Sequence, residues 1–253
     1  MKVVILAGGK GQRLFPETED KPKPMVEIGG KPVIWHIMKI YSSFGIRDFI
    51  ICAGYRSFAI KEYFSDYYLV NADVIIDVKN NKIKTLLPKA EPWRITIVDT
   101  GENTDTAERI KMVESFLRGE EIFCLSYGDT LADVNIKEEI EYHRKLGKLV
   151  TALVVRHPAR YVEWKITREK IEFIKKPSEE LGWFCGGFFV VSGKIFNYLK
   201  NISNWNEVLF KLNEINQLGA YKHRGFWFSL ETLKDKFYLE ELWNTGKAPW
   251  KLW

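Results

Sequence analysis

The chain has 253 residues, 46% hydrophobic and 28% charged, which suits one ordinary globular domain with a sizeable core. Its net charge of +5 comes from scattered lysines without a long basic run, so nucleic acid is not the expected partner. No apolar run approaches the roughly 18 residues of a membrane span, and Cys52, Cys124 and Cys185 lie in apolar stretches without metal-ligand spacing, as reduced core residues of a cytosolic chain would.

The first predicted element is a buried strand over residues 3–7, which empties into Gly8-Gly9-Lys10-Gly11-Gln12-Arg13. Three glycines in four residues leave bare backbone N–H groups that a polyphosphate can approach, and Arg13 adds a planar charged fork for phosphate oxygens. A Walker loop is excluded because Gln12 follows Gly11. A dinucleotide fingerprint is excluded because its third glycine place falls to Leu14. The first dozen residues are therefore expected to bind a nucleoside triphosphate. A cleaved leader would remove this site, so none is expected.

Further along, helices are predicted over 33–41, 58–69, 106–117 and 137–145. Strands are predicted over 49–53, 95–98, 122–127 and 150–155. In the third helix Ile110, Val113 and Leu117 form one apolar face. Residues 70–93 interrupt the alternation as a polar, lysine-rich hairpin excursion, and Lys165-Ile166-Thr167 with Lys170-Ile171-Glu172-Phe173 reads as a second hairpin. The last eleven residues hold Trp243, Trp250 and Trp253, either packed on the core or forming a subunit contact. The alternation predicts an α/β fold: a mostly parallel central sheet with helices on both faces and small hairpin excursions. One domain is expected over 1–253, with a nucleotide half at 1–148, an acceptor half at 149–235 and an aromatic tail at 236–253. Ligands of such sheets sit beyond the carboxyl ends of strands, where the glycine loop and Asp129 both fall.

Gly8-Gly9-x-Gly11-x-Arg13-Leu14, followed by Lys21-Pro22-Lys23-Pro24-Met25-Val26, resembles the sugar-phosphate nucleotidyltransferases, most closely the glucose-1-phosphate cytidylyltransferases. The likeness continues through Glu91-Pro92-Trp93, Val98-Asp99-Thr100-Gly101, Tyr127-Gly128-Asp129 and Gly186-Gly187-Phe188-Phe189-Val190, and reaches Lys247-Ala248-Pro249-Trp250-Lys251. It implies a Rossmann-like nucleotidyltransferase fold, CTP and a small phosphorylated acceptor as substrates, Mg2+ as cofactor, and a homo-oligomer. By this resemblance Arg13 holds the leaving phosphates and Lys23 reaches the α-phosphate. The nucleotide is met by Leu6, Ala7, Gly8, Gly9, Lys10, Gly11, Gln12, Thr104, Arg109 and Gly128. Asp129 is the first metal ligand. Glu231 stands where the family has its second, an aspartate, with an arm one methylene longer.

Departures gather on the acceptor side. Lys175-Lys176-Pro177 replaces a Glu-Lys-Pro whose glutamate hydrogen-bonds sugar hydroxyls, and Cys185 replaces an asparagine. Tyr161-Val162-Glu163-Trp164 replaces Phe-Gly-Ala-Leu. Arg160, Lys175, Lys176 and Cys185 are the expected acceptor contacts. An ammonium cannot accept from a hydroxyl but favours an anionic ligand. The acceptor expected from these changes is a more anionic phosphate or phosphoramidate, such as the phosphoglutamine of capsule modification. The alternatives are a CDP-glucose enzyme, a uridylyl- or thymidylyltransferase, and a non-catalytic nucleotide-binding subunit. His36 is expected to be a packing residue.

Overall fold

The computed structural model describes residues 1–88, 90–156, 164–167, 170–173, 182–200 and 202–253; for 87–88, 164–167 and 170–173 it describes the backbone alone. Seven strands form the central sheet: β1 (Lys2–Ala7), β2 (Asp48–Ala53), β3 (Arg94–Asp99), β4 (Ile122–Tyr127), β5 (Val150–Arg156), β6 (Trp183–Ser192) and β7 (Leu218–Lys222). Their order is β7-β5-β6-β4-β1-β2-β3. All neighbouring pairs are parallel except those of β6, which runs antiparallel to β5 and β4. The order reverses between β1 and β4, so their carboxyl ends splay apart and leave a crevice.

Alternation along the strands divides the core into two. Val3, Ile5 and Ala7 join the inner face of helix α1 (Val33–Ser43), while Val4, Ile50 and Cys52 face the opposite layer. The α1 layer also contains Leu239 and Trp250. The predicted helix over 58–69 is two pieces, α2 (Ser57–Ser65) and α3 (Tyr67–Val70). That over 106–117 is α4 (Thr106–Met112) followed by a 3-10 turn, Glu114–Leu117, with Ile110, Val113 and Leu117 buried as expected. Next come α5 (Ile136–Leu146), α6 (Trp205–Glu214) and α7 (Leu233–Asn244). Both expected hairpins occur, as Ala72–Asp77 with Lys82–Pro88 and as Trp164–Thr167 with Lys170–Phe173.

The aromatic tail packs on the core. Trp250 is fully buried, and its indole N–H donates to Nδ1 of His36 at 3.3 Å. That contact fixes the proton of the neutral imidazole on Nε2, which donates to the Ile28 carbonyl at 2.8 Å. Burial holds the His36 pKa down at about 4, so the ring packs as a neutral group. Trp243 lies edge-on to His36, against Gly29 (φ +60°), where an added Cβ would stand 2.0 Å from the indole nitrogen.

Inside α5, Glu139 is buried with one carboxyl oxygen lacking a partner, and desolvation pushes its pKa up to about 8. Its folded-state pKa is raised, so its contribution to stability is fully present below the ordinary 4.5 and is lost as pH rises toward 8. Glu139→Gln should therefore gain stability over the natural chain between pH 5 and pH 8, by on the order of 2–4 kcal/mol. Urea unfolding midpoints at both pH values measure this; an equal difference at the two would refute the assignment.

Candidate active site

The crevice between β1 and β4 opens into a cavity of about 470 Å³. β1 and its glycine loop supply Leu6, Ala7, Gly8, Gly9 and Gly11; other segments bring Lys23, Thr104, Arg109 and Gly128. Lys10 and Gln12 line a separate pocket beside Phe15 and Tyr55. Lys10 pairs there with Glu102 at 2.9 Å, joining the glycine loop to the loop after β3.

Arg109 is placed behind the loop, not across it. Its Nη1 donates to Thr100 Oγ1 (2.6 Å), the Gly101 carbonyl (2.7 Å) and the Ala53 carbonyl (3.5 Å). Its Nη2 donates to the carbonyls of Gly8 (3.3 Å) and Glu102 (3.2 Å). One guanidinium thus gathers the carboxyl ends of β1, β2 and β3. The side chain is almost fully buried among neutral acceptors, and desolvation lowers its pKa from the ordinary arginine value. The sequence reading placed Arg109 at the nucleotide without this bracing contact, because its acceptors are backbone groups and carry no residue signature.

A second cavity of about 550 Å³ adjoins the first and shares Tyr127 and Asp129 with it. Phe184, Cys185 and Trp227 form one wall, and Arg13 and Glu231 another. Trp227 stands edge-on to Phe184 at 5.0 Å and is held by an N–H donated to the Gly186 carbonyl at 2.7 Å. Arg13 therefore lines the second cavity, whereas the sequence reading gave it the phosphates of the first. Arg160, Lys175 and Lys176 lie outside the described residues, as does the 161–163 part of the altered acceptor segment.

Four charged side chains meet at the junction. Lys23 Nζ lies 2.7 Å from Asp129 Oδ2 and 3.2 Å from Glu231 Oε2, and Arg13 Nη1 is 3.0 Å from the same Glu231 oxygen. Lys23 sits on a 3-10 turn, Lys23–Met25, that Pro22 and Pro24 make stiff. Asp129 follows β4 and Gly128. Glu231 is delivered by strand pairing: Trp227–Ser229 runs antiparallel to Thr130–Ala132, and the Leu230 N–H donates to the Asp129 carbonyl at 2.9 Å. That register sets acids 102 residues apart in sequence around one ammonium. Burial pushes the Asp129 carboxyl up from the usual range, Lys23 pulls it down, and Glu231 adds to the rise. Asp235, which the sequence reading missed, accepts from the Glu231 and Thr232 N–H groups. The Thr232-x-x-Asp235 spacing of a helix capping box was the available signal.

Two of the glycines make opposite demands. A Cβ on Gly8 would fall 2.0 Å from Arg109 Nη1, whereas one on Gly9 would meet nothing within 4 Å. Gly8→Ala should lower both thermal stability and nucleotide affinity, since the displaced fork would give up hydrogen bonds to the ends of three strands. Gly9→Ala should leave the melting temperature within about 1 °C and alter only nucleotide affinity, as read by calorimetry. Equal melting losses in both variants would contradict the bracing role of Arg109.

Known proteins share this architecture and sequence. A UDP-glucose pyrophosphorylase from Acinetobacter baumannii superposes with a TM-score of 0.71 over 99% of this chain and 95% of that one, at 16% identity, a likeness of fold. Glucose-1-phosphate cytidylyltransferases of Salmonella typhimurium and Salmonella typhi are each 45% identical over 256 aligned positions, covering 100% of both chains. The Nucleotidyl transferase family matches residues 2–229, from the first strand through the ribbon that delivers Glu231. The chain belongs to the nucleotidyl transferase family.

Proposed function

We propose that the chain is a cytidylyltransferase that joins CTP and glucose 1-phosphate into CDP-glucose and releases pyrophosphate. The observation that carries this reading is the 45% identity, over the whole of both chains, to relatives named for that reaction. It takes precedence over the more anionic acceptor expected from the sequence. Of the residues that argued for that acceptor, the structure describes Cys185, which lines the second cavity with Phe184 and Trp227. Its thiol, with pKa raised chiefly by burial, is a weak hydrogen-bonding partner for a hydroxyl or a carboxylate alike.

Two adjoining cavities suit a transfer between two phosphates. The first would hold the nucleotide on the glycine-loop backbone, and the second the sugar phosphate against Trp227 and Phe184. In-line attack on the α-phosphorus needs the two anions close and their charge neutralised, and no covalent enzyme intermediate. Lys23 stands at the junction and would move from the carboxylates to the α-phosphate; Arg13, largely exposed, would meet phosphate oxygens from the second cavity, which it lines.

The site fits Mg2+ of the kind this family generally uses. Asp129 Oδ2 and Glu231 Oε2 both aim at one cation, which in this structure is the Lys23 ammonium. Among the described residues no set of three or more potential metal ligands gathers. Mg2+ held by one or two carboxylates together with substrate phosphates requires no such set. When bound, the ion would screen the phosphate oxygens and the charge growing on the leaving group.

Pyrophosphate release with Mg2+, CTP and glucose 1-phosphate tests the reading, run beside UTP, dTTP and phosphoglutamine. Turnover is expected with CTP and the sugar phosphate. Lys23→Ala and Asp129→Asn should each lower kcat/KM by about 10²–10³-fold, the usual cost of losing one electrostatic contact in a transfer site. Turnover on phosphoglutamine with silence on glucose 1-phosphate would restore the anionic acceptor. CTP binding without turnover on any acceptor would make the chain a regulatory subunit.

A further inference from the structure

Glu231 carries one methylene more than the aspartate that the family resemblance leads one to expect there, so about 1.5 Å of extra arm and one extra rotatable bond must be controlled if its carboxylate is to share a cation with Asp129. The structure supplies that control from an unassigned residue. Ser229 Oγ donates to Glu231 Oε1 at 3.0 Å. The other oxygen, Oε2, is the one that faces Lys23 at 3.2 Å and Arg13 at 3.0 Å. Lys23 is also 2.7 Å from Asp129, so Oε2 is the oxygen placed for a cation common to both acids.

We propose that Ser229 is a positioning residue that sets which Glu231 oxygen faces the metal ion, and so adapts a glutamate to an aspartate's place. This rests on the reading of Asp129 and Glu231 as metal ligands. Two features make the tether effective. Ser229 is fixed in the ribbon opposite Thr130, one residue before the Leu230 N–H that binds the Asp129 carbonyl, so its hydroxyl starts from a rigid point. The Glu231 backbone is pinned separately, its N–H donating to Asp235 Oδ2 at 3.0 Å. Asp235 therefore holds the main chain, and Ser229 holds the carboxylate itself. An aspartate at 231, one methylene shorter, would draw its carboxylate back from the oxygen position that Ser229 now engages.

Mn2+ titration of the full chain, with and without CTP and followed by the spin resonance of the free ion, reads metal affinity independently of turnover. Ser229→Ala should weaken Mn2+ binding to the CTP complex about 5–20-fold and raise the Mg2+ concentration for half-activation by a similar factor. The melting temperature should stay put, and Ser229→Thr, which keeps the hydroxyl, should restore the affinity. With Glu231→Asp in place, Ser229→Ala should cost nothing further. Unchanged Mn2+ affinity in Ser229→Ala, or an equal loss in both backgrounds, overturns the tether. A Glu231→Gln variant that binds Mn2+ as the natural chain does fails differently: it removes Glu231 from the metal site and the underlying reading with it.

Discussion

A single buried guanidinium holds the crevice beside the glycine loop in shape. The carboxyl ends of parallel strands leave carbonyl groups without sheet partners, and each presents partial negative charge to the place where a triphosphate would arrive. Arg109 takes up this problem at three strands together. Its guanidinium donates to neutral acceptors: the carbonyls of Gly8, Ala53, Gly101 and Glu102 and the Thr100 hydroxyl. A buried arginine among neutral acceptors keeps its positive field, unlike one paired with a carboxylate, and that field lies directly behind the glycine loop. The loop can approach its ligand through bare backbone because the charge beneath it sits on the other side of Gly8, in the space where a Cβ would be.

The junction of the two cavities follows the opposite rule. Lys23 and Arg13 are matched by Asp129 and Glu231, so the four charges cancel before any substrate arrives. Lys23 stands between the two acids and offsets the repulsion by which Glu231 raises the Asp129 carboxyl. Under the proposed function, an arriving nucleotide would bring anionic oxygens for the two cations, and the carboxylates they released would become available for a divalent ion. Substrate and metal would then be coupled through exchange of partners, with no change of fold required.

Much of the first half of the chain is legible in the sequence, because its signals are local. A short apolar run, three glycines and an arginine identify β1 and its loop, and the alternation of Ile- and Val-rich runs with helical patterns gives the sheet and its ligand edge. Less legible are features set by distant pairing. Nothing near Glu231 reveals that it meets Asp129; the register of a two-stranded ribbon decides that. The antiparallel course of β6 is hidden for the same reason, since its Gly186-Gly187-Phe188-Phe189-Val190 run reads as buried in either direction. Helix 58–69 divides at Asp66 although its apolar pattern runs through, because a turn of the main chain there leaves no gap in hydrophobicity. Arg109 is visible as a residue, while its work is done on backbone atoms that any sequence would supply.

The aromatic tail belongs to the same mechanical system as the acids that face Lys23. Helix α7 starts where Thr232 and Asp235 cap it, and Asp235 also binds the Glu231 N–H, so the helix N-terminus and the acid share one anchor. Further along α7, Lys236 reaches Glu17 at 2.7 Å, in the segment that follows Arg13, and Glu240 accepts from the Gly29 N–H at 2.9 Å. Its last turn places Trp243 against His36, where Trp250 and Trp253 also pack. A capping box alone contributes only about 1 kcal/mol and would leave an isolated twelve-residue helix marginal in water. The tryptophans supply the burial that fixes α7, and through it the direction from which Glu231 enters the site. The tail lies far along the chain from the glycine loop, yet it stabilises the helix whose Asp235 anchors the Glu231 main chain.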